Sequence, residues 1–369
     1  MPPRKGLLAS GRRITWDEEG RVTEREARFF EPFGDNLVRC TICPRRCVIK
    51  PGERGFCGTR ENRDGRLYTL TYGELTALAV DPIEKKPLFH FYPGSLAFSI
   101  SSLGCSFTCP WCQNWELSQS RPGEIPTRYV EPEEVVSLAK RRDCTSIAYT
   151  YNEPLINLEY VEDVARVARR EGVKNVLVTN GYITLEALDE VVGLIDAANV
   201  DWKSFDERVY REYIRGDLKS VLDATVEMKR KGVHVEVTFL VIPELNDGPE
   251  EMRRMARYLV DNLGPDVPLH LSRFYPHYKF RFKPITPYET LVRNREIAQE
   301  EGVRYVYVGN VPGSDYESTF CPSCGRRVIG REGYTITGWN LTEDMKCKFC
   351  GETLPLVGKR EKHRRLLFF

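Results

Sequence analysis

The sequence predicts an α/β protein built on a full or partial (β/α) TIM-type barrel with a cysteine-rich module on either side. Two observations lead there. Across residues 96–310, strand-like and helix-like segments alternate, the pattern of a parallel sheet with crossover helices. The chain also carries 12 cysteines, of which all but Cys144 fall into three tight groups, at 40–57, 105–112 and 321–350. The implied organisation is an N-terminal cysteine-rich metal-binding module over 1–95, the barrel over 96–310 and a second metal module over 311–369.

The strand-like runs are Leu96–Ser101, Ser146–Thr150, Asn175–Thr179, Ala198–Asp201, Val233–Val241, Leu269–Arg273 and Arg304–Val308. Helical patterns lie between them at Pro132–Arg142, Leu158–Glu171, Leu185–Leu194, Leu218–Lys231, Glu250–Leu263 and Thr286–Glu300. Glu171-Gly172-Val173, Lys231-Gly232-Val233 and Glu301-Gly302-Val303 read as stops, with glycine in the left-handed cap and valine opening the next strand. In a barrel of this kind the working residues sit on loops after the C-terminal ends of the strands. Those positions hold Cys105–Cys112, then Tyr151-Asn152-Glu153-Pro154, Asn180-Gly181-Tyr182 and Asp201-Trp202-Lys203. Asn246-Asp247 and His277 follow the next two strands. Chemically useful side chains gather at one end of the sheet.

Composition narrows the function classes. Lys and Arg total 54 against 53 Asp and Glu, so bulk attraction to nucleic acid or an anionic membrane is not expected. No apolar run approaches a membrane span. The opening MPPRKGLLASGRRITWDEEG lacks the apolar core of a signal peptide, and a cytoplasmic protein is expected. Secreted disulfide scaffolds are usually short, and cysteines two or three residues apart are better placed to share a metal than to pair.

Cys105, Cys109 and Cys112 form C-x3-C-x2-C. Three thiolates on one loop can take three corners of a four-iron–four-sulfur (4Fe–4S) cluster, leaving one iron open, and an open position separates a reactive metal site from a closed one. The competing readings are a zinc site, or an electron-transfer cluster completed by a fourth cysteine. Cys144, the one cysteine left over, precedes the second strand and so lies at the opposite end of the barrel.

C-x3-C-x-aromatic-C after the first strand resembles the signature of the radical S-adenosylmethionine (radical SAM) superfamily. The resemblance implies that the amino and carboxylate groups of SAM chelate the open iron. One electron then cleaves SAM to methionine and a 5′-deoxyadenosyl radical. It also implies that Trp111 lies near the adenine. Tyr149–Pro154 (YTYNEP) is similar to a segment of pyruvate formate-lyase-activating-enzyme relatives, which implies that Asn152 and Glu153 hold the SAM amino group. By the same resemblance Thr179 and Asn180 line the ribose, and Asp201 and Lys203 contact SAM or substrate. CTICPRRC at Cys40–Cys47, GFCGTR at Gly55–Arg60, YNEP and the terminal cysteine pairs together resemble the radical SAM member of the AmmeMemoRadiSam system. That resemblance implies Memo-like and AMME-syndrome-candidate-like partners, besides an electron donor. The substrate is an unidentified small molecule or partner protein. Glycyl-radical activation of a partner and RNA modification are the alternatives, the second disfavoured by the charge balance.

Cys321-x2-Cys324 and Cys347-x2-Cys350, each pair followed by glycine, read as a zinc-ribbon-like or rubredoxin-like module holding zinc or iron. Cys40, Cys43, Cys47 and Cys57 suit either zinc or an auxiliary iron–sulfur cluster, with Arg45, Arg46, Arg54 and Arg60 close in sequence to balance thiolate charge. His234 and His270 fall in strands, where an imidazole is usually satisfied internally. His277 is a candidate to face substrate. The tail LVGKREKHRRLLFF, containing His363, is basic and then apolar, as expected of a solvated or packed terminus.

Overall fold

The computed structural model describes residues 4–7, 13–16 and 22–361. His363, the end of the tail and most of the opening segment lie outside the described residues. The central sheet runs β1 (Ala77–Pro82), β2 (Leu96–Ser101), β3 (Ser146–Tyr149), β4 (Lys174–Thr179), β5 (Ala197–Asp201), β6 (His234–Val241), β7 (Leu269–Arg273) and β8 (Val306–Gly309), side by side in chain order. Strands β2 to β8 are parallel. Helices α1 (Pro132–Arg141), α2 (Leu158–Arg170), α3 (Leu185–Val192), α4 (Leu218–Arg230), α5 (Pro249–Leu263) and α6 (Tyr288–Glu300) fill the successive crossovers.

These elements form where the apolar pattern demands them. Every residue of β2 and β3 is buried, as continuous apolar runs in a parallel sheet require. Helix α2 buries Leu158, Val161, Val164, Ala165 and Ala168, a helical stripe facing the sheet. Gly172, Gly232 and Gly302 all take positive φ after their helices, as the Gly-Val stops imply.

Strand β1 runs antiparallel to β2, from within the segment that precedes residue 96. It escapes a pattern reading because it is an edge strand, mostly half-buried and ending in Pro82; proline is tolerated there and obscures the signal. β1 and β8 do not pair, so the sheet is open and the closed form of the barrel is not made. The segment after β1 packs on the N-terminal half of the sheet. Glu236 of β6 accepts hydrogen bonds from Phe89 N (3.0 Å), His90 N (2.7 Å), His234 Nε2 (2.9 Å) and His270 Nε2 (2.6 Å). Burial opposes its ionisation, yet the two imidazoles hold its carboxyl well below the usual range. The strand histidines are satisfied internally, as their position suggests.

The flanking modules pack onto this body. N-terminally, a five-stranded and a three-stranded antiparallel sheet precede β1. Arg60, fully buried, grips Glu159 of α2 through two hydrogen bonds of 2.6 and 3.1 Å. C-terminally, a three-stranded sheet (Thr319–Phe320, Arg327–Glu332 and Thr335–Trp339) shares a small apolar core with Phe89, Tyr305 and Tyr307. Buried Arg331 donates to Phe89 O (2.8 Å) and Thr319 Oγ1 (2.7 Å), tying this module to the segment after β1. Among the described residues, no helix is long and apolar enough to cross a membrane.

Candidate active site and the cysteine centres

The loop after β2 carries Cys105, Cys109 and Cys112 and is held from several sides. Asn152, after β3, spends its amide on it: Oδ1 accepts from Ser102 N (3.1 Å), and Nδ2 donates to the carbonyls of Leu103 and Gly104 (3.1 Å each). Gly104 has φ +79°, and a Cβ there would meet Cys57 O and Thr59 Cγ2 at 2.6 Å, so a side chain is excluded on two counts. Phe107 is buried against Tyr182 and Tyr210, and Trp111 against Phe280. Thr108 N donates to Ile214 O, fastening the middle of the loop.

Around the sulfurs, Phe107 N (3.4 Å) and Asn180 Nδ2 (3.6 Å) donate to Cys105, and Ser118 Oγ lies 3.2 Å from Cys112 Sγ. Lys203, paired to Asp201 at 2.7 Å, is held above its ordinary pKa. Burial works against that charge, but Asp201 and the Cys109 sulfur outweigh it. Glu153, after β3, accepts from Leu155 N (2.9 Å), Thr179 Oγ1 (2.7 Å) and Asn180 N (2.8 Å). Burial nevertheless pushes its carboxyl up to about 7.

One cavity of about 1090 Å³ joins these groups. Cys105, Cys109, Trp111 and Cys112 line it, and so do Asn152, Glu153, Thr179, Asn180, Asp201 and Lys203. Cys144, at the start of β3, does not, nor does half-buried His277. Apart from Tyr151, the rest of the lining is not singled out by the sequence as a site. It includes Glu84, Lys86, Tyr151, His270, Asn310, Glu317 and Tyr334. Asp81 binds Lys85 and Lys86 at 2.7 Å each and also accepts from Tyr151 OH and Ser99 Oγ. Burial pushes Lys86 down to about 8 although Asp81 supports its charge. Tyr151 sits at φ +70°, an uncommon conformation for a bulky residue and one found at functional sites. The available sequence signals were Lys85-Lys86-Pro87, beside a proline-terminated strand, and a tyrosine directly before Asn152.

The C-terminal four cysteines differ in kind. The sulfurs of Cys321, Cys324, Cys347 and Cys350 all lie within 4.8 Å of one another, with Cys321–Cys350 at 3.5 Å and Cys324–Cys347 at 3.8 Å. A tetrahedral ion with metal–sulfur bonds of about 2.3 Å sets its sulfurs about 3.8 Å apart, so this group can hold a single metal ion. Gly325 N and Gly351 N close the two knuckles on the carbonyls of Cys321 and Cys347.

The sheet, the three-cysteine loop at its C-terminal edge and the cavity beyond define a class. Residues 99–259 match the Radical SAM superfamily, and the chain belongs to that superfamily, whose members are enzymes of radical chemistry. At closer range, it is 47% identical over 334 residues to an uncharacterized protein of Methanocaldococcus jannaschii, covering 90% of this chain and 99% of that one. It is also similar to the pyruvate formate-lyase 1-activating enzyme of Escherichia coli, at 22% identity over 162 residues, 43% of this chain and 66% of the enzyme. Among solved structures, a domain of a pyruvate-formate lyase-activating enzyme from Bacteroides vulgatus aligns at TM-score 0.39 and 17% identity, covering 45% of this chain and 99% of that domain. Superfamily membership implies a 4Fe–4S cluster and SAM. The residues present fit such a group: three sulfurs face one cavity without closing on a single ion, and N–H and O–H groups with one ammonium offset their charge.

Proposed function

We propose that this chain is a radical SAM enzyme in which Cys105, Cys109 and Cys112 hold the 4Fe–4S cluster and Glu153, Asn180, Asp201 and Lys203 surround bound SAM. The observation that carries the reading is the convergence of these residues, from four different strand ends, on one cavity. When bound and reduced, cluster and SAM together supply a 5′-deoxyadenosyl radical that abstracts hydrogen from a small molecule or partner protein. The chain's own part is positional. Asn152 latches the cysteine loop to β3, and Asn180 joins Cys105 to the third strand end. Glu153 offers a buried carboxylate suited to an ammonium. Trp111, packed on Phe280, offers an apolar face for adenine. Thr179 orients Glu153 and stands beside the expected ribose. Lys203 places a positive charge next to Cys109.

Within this reading the chain is pyruvate formate-lyase-activating-enzyme-like and cytoplasmic, and akin to the radical SAM member of the AmmeMemoRadiSam system. Memo-like and AMME-syndrome-candidate-like proteins are then its partners, with a separate electron donor, and the C-terminal module is a zinc ribbon or its rubredoxin-like counterpart. Glycyl-radical activation of a partner is the second reading, favoured by similarity to the Escherichia coli activating enzyme.

The test is anaerobic reconstitution, reduction and measurement of 5′-deoxyadenosine with SAM present. Wild type is expected to release it and Cys109→Ala to release none. A silent wild type, or undiminished product from the variant, overturns the reading. A glycyl-radical signal on a co-purified partner decides for the activase.

A further inference from the structure

Cys40, Cys43, Cys47 and Cys57 come together although they lie on different pieces of chain. Cys40 ends the strand Val38–Cys40, Cys43 and Cys47 lie in the turn that follows, and Cys57 sits in the tight turn before Arg60. Cys40 N donates to Cys47 O (2.9 Å) and Gly55 N to Arg60 O (2.9 Å), which fixes the two turns. All four cysteines line one small cavity, together with Ile42, Ile49, Phe56 and Ile156.

The spread of the sulfurs decides between the two occupants that the spacing allows. Among the described residues, the grouping that could hold a single ion is that of the C-terminal four, whose sulfurs all lie within 4.8 Å of one another; Cys40, Cys43, Cys47 and Cys57 do not form such a group. A single tetrahedral ion needs about 3.8 Å between sulfurs. A cubane cluster instead places each thiolate on a separate iron, so its four sulfurs stand farther apart around a central space. Cys105, Cys109 and Cys112 likewise form no single-ion group. The surroundings suit an anionic cluster. Arg60 lines the cavity, fully buried, and Arg45 lines it with its Nε buried and without a protein acceptor.

The geometry points to a second 4Fe–4S cluster on Cys40, Cys43, Cys47 and Cys57. With four protein thiolates it has no open iron and does not bind SAM. It lies directly behind the reactive loop. Ser106 lines its cavity and is the neighbour of Cys105, Arg45 Nη2 donates to Ser106 O (3.1 Å), and Cys57 O packs against Gly104. The inference is independent of what the second cluster's neighbour does with SAM.

The test uses full-length chain prepared without oxygen. The triple variant Cys105→Ala/Cys109→Ala/Cys112→Ala cannot hold the first cluster. It is expected to retain about four iron and four sulfide per chain, with a reduced-state electron paramagnetic resonance signal that SAM does not alter. Cys43→Ser in an otherwise native chain is expected to lose that signal while keeping a SAM-sensitive one. Native protein with both clusters reduced is expected to show spin coupling between them, absent from either variant. A triple variant without sulfide, or one with two zinc ions and no iron, overturns the inference. So does a Cys43→Ser chain with the native iron and sulfide content. Failure to cleave SAM would bear only on the proposed function.

Discussion

Glu84 is the residue whose environment makes the plainest demand. It lines the cavity and is almost wholly buried. One carboxylate oxygen accepts from Gly94 N at 2.8 Å, and the other is buried without a protein donor. Burial pushes the group up to about 7 from the usual 4.5, against the pull of Arg331. An unfolded chain therefore ionises this carboxyl at a lower pH than the folded one. Between about pH 4.5 and 7 the folded state binds more protons, so this group's contribution to stability is complete below 4.5 and falls as pH rises to 7. The loss is about 3 kcal/mol at the upper end. Glu84→Gln should flatten that portion of the profile, read as the difference between variant and wild-type urea midpoints at pH 5 and pH 7.5. Parallel profiles would refute it. Glu84 could not be placed from the sequence, because a Glu outside a periodic segment carries no sign of whether another segment buries it.

At the scale of elements, β2 to β8 and α1 to α6 could be read from apolar runs and Gly-Val stops because each is stabilised by burying its own periodic face. Strand β1 could not, since its pairing with β2 supplies what its own half-exposed sequence lacks. The N-terminal strands, several only two to four residues long, are similarly beyond a periodicity argument. The cysteine loop was legible by spacing, while the latch that Asn152 provides was not, since it depends on β2 and β3 being neighbours. That dependence can be tested at Gly104. Gly104→Ala must either adopt positive φ with a Cβ, at about 1–3 kcal/mol, or push the loop off Cys57 and Thr59. The expected result is lowered iron and sulfide content with the fold retained by circular dichroism. A variant with native cluster content would show that the loop has slack.

For the molecule as a whole, the decisive joint is Arg60 with Glu159, which bolts the N-terminal module to α2 in a fully buried ion pair. Both partners keep their charge against burial, Glu159 held below its ordinary pKa and Arg60 above. Such a pair adds little relative to a good apolar replacement, but half of it is costly. Arg60→Met is expected to lose about 3–5 kcal/mol of stability, and Arg60→Met with Glu159→Leu to recover most of that. Equal losses in the single and double variants, by chemical denaturation, would argue against this account.

Tyr334 and Glu317 belong to the C-terminal module, yet they line a cavity whose cysteines end at residue 112. During synthesis the ribosome must add roughly 200 more residues before they exist, about 10–40 s at ordinary elongation rates of about 5–20 residues per second. For that interval the cysteine loop lacks this part of its surroundings. Timing thus becomes part of the design: Glu317 and Tyr334 complete a wall around thiols made long before them, and a chain released before them would carry those thiols without it.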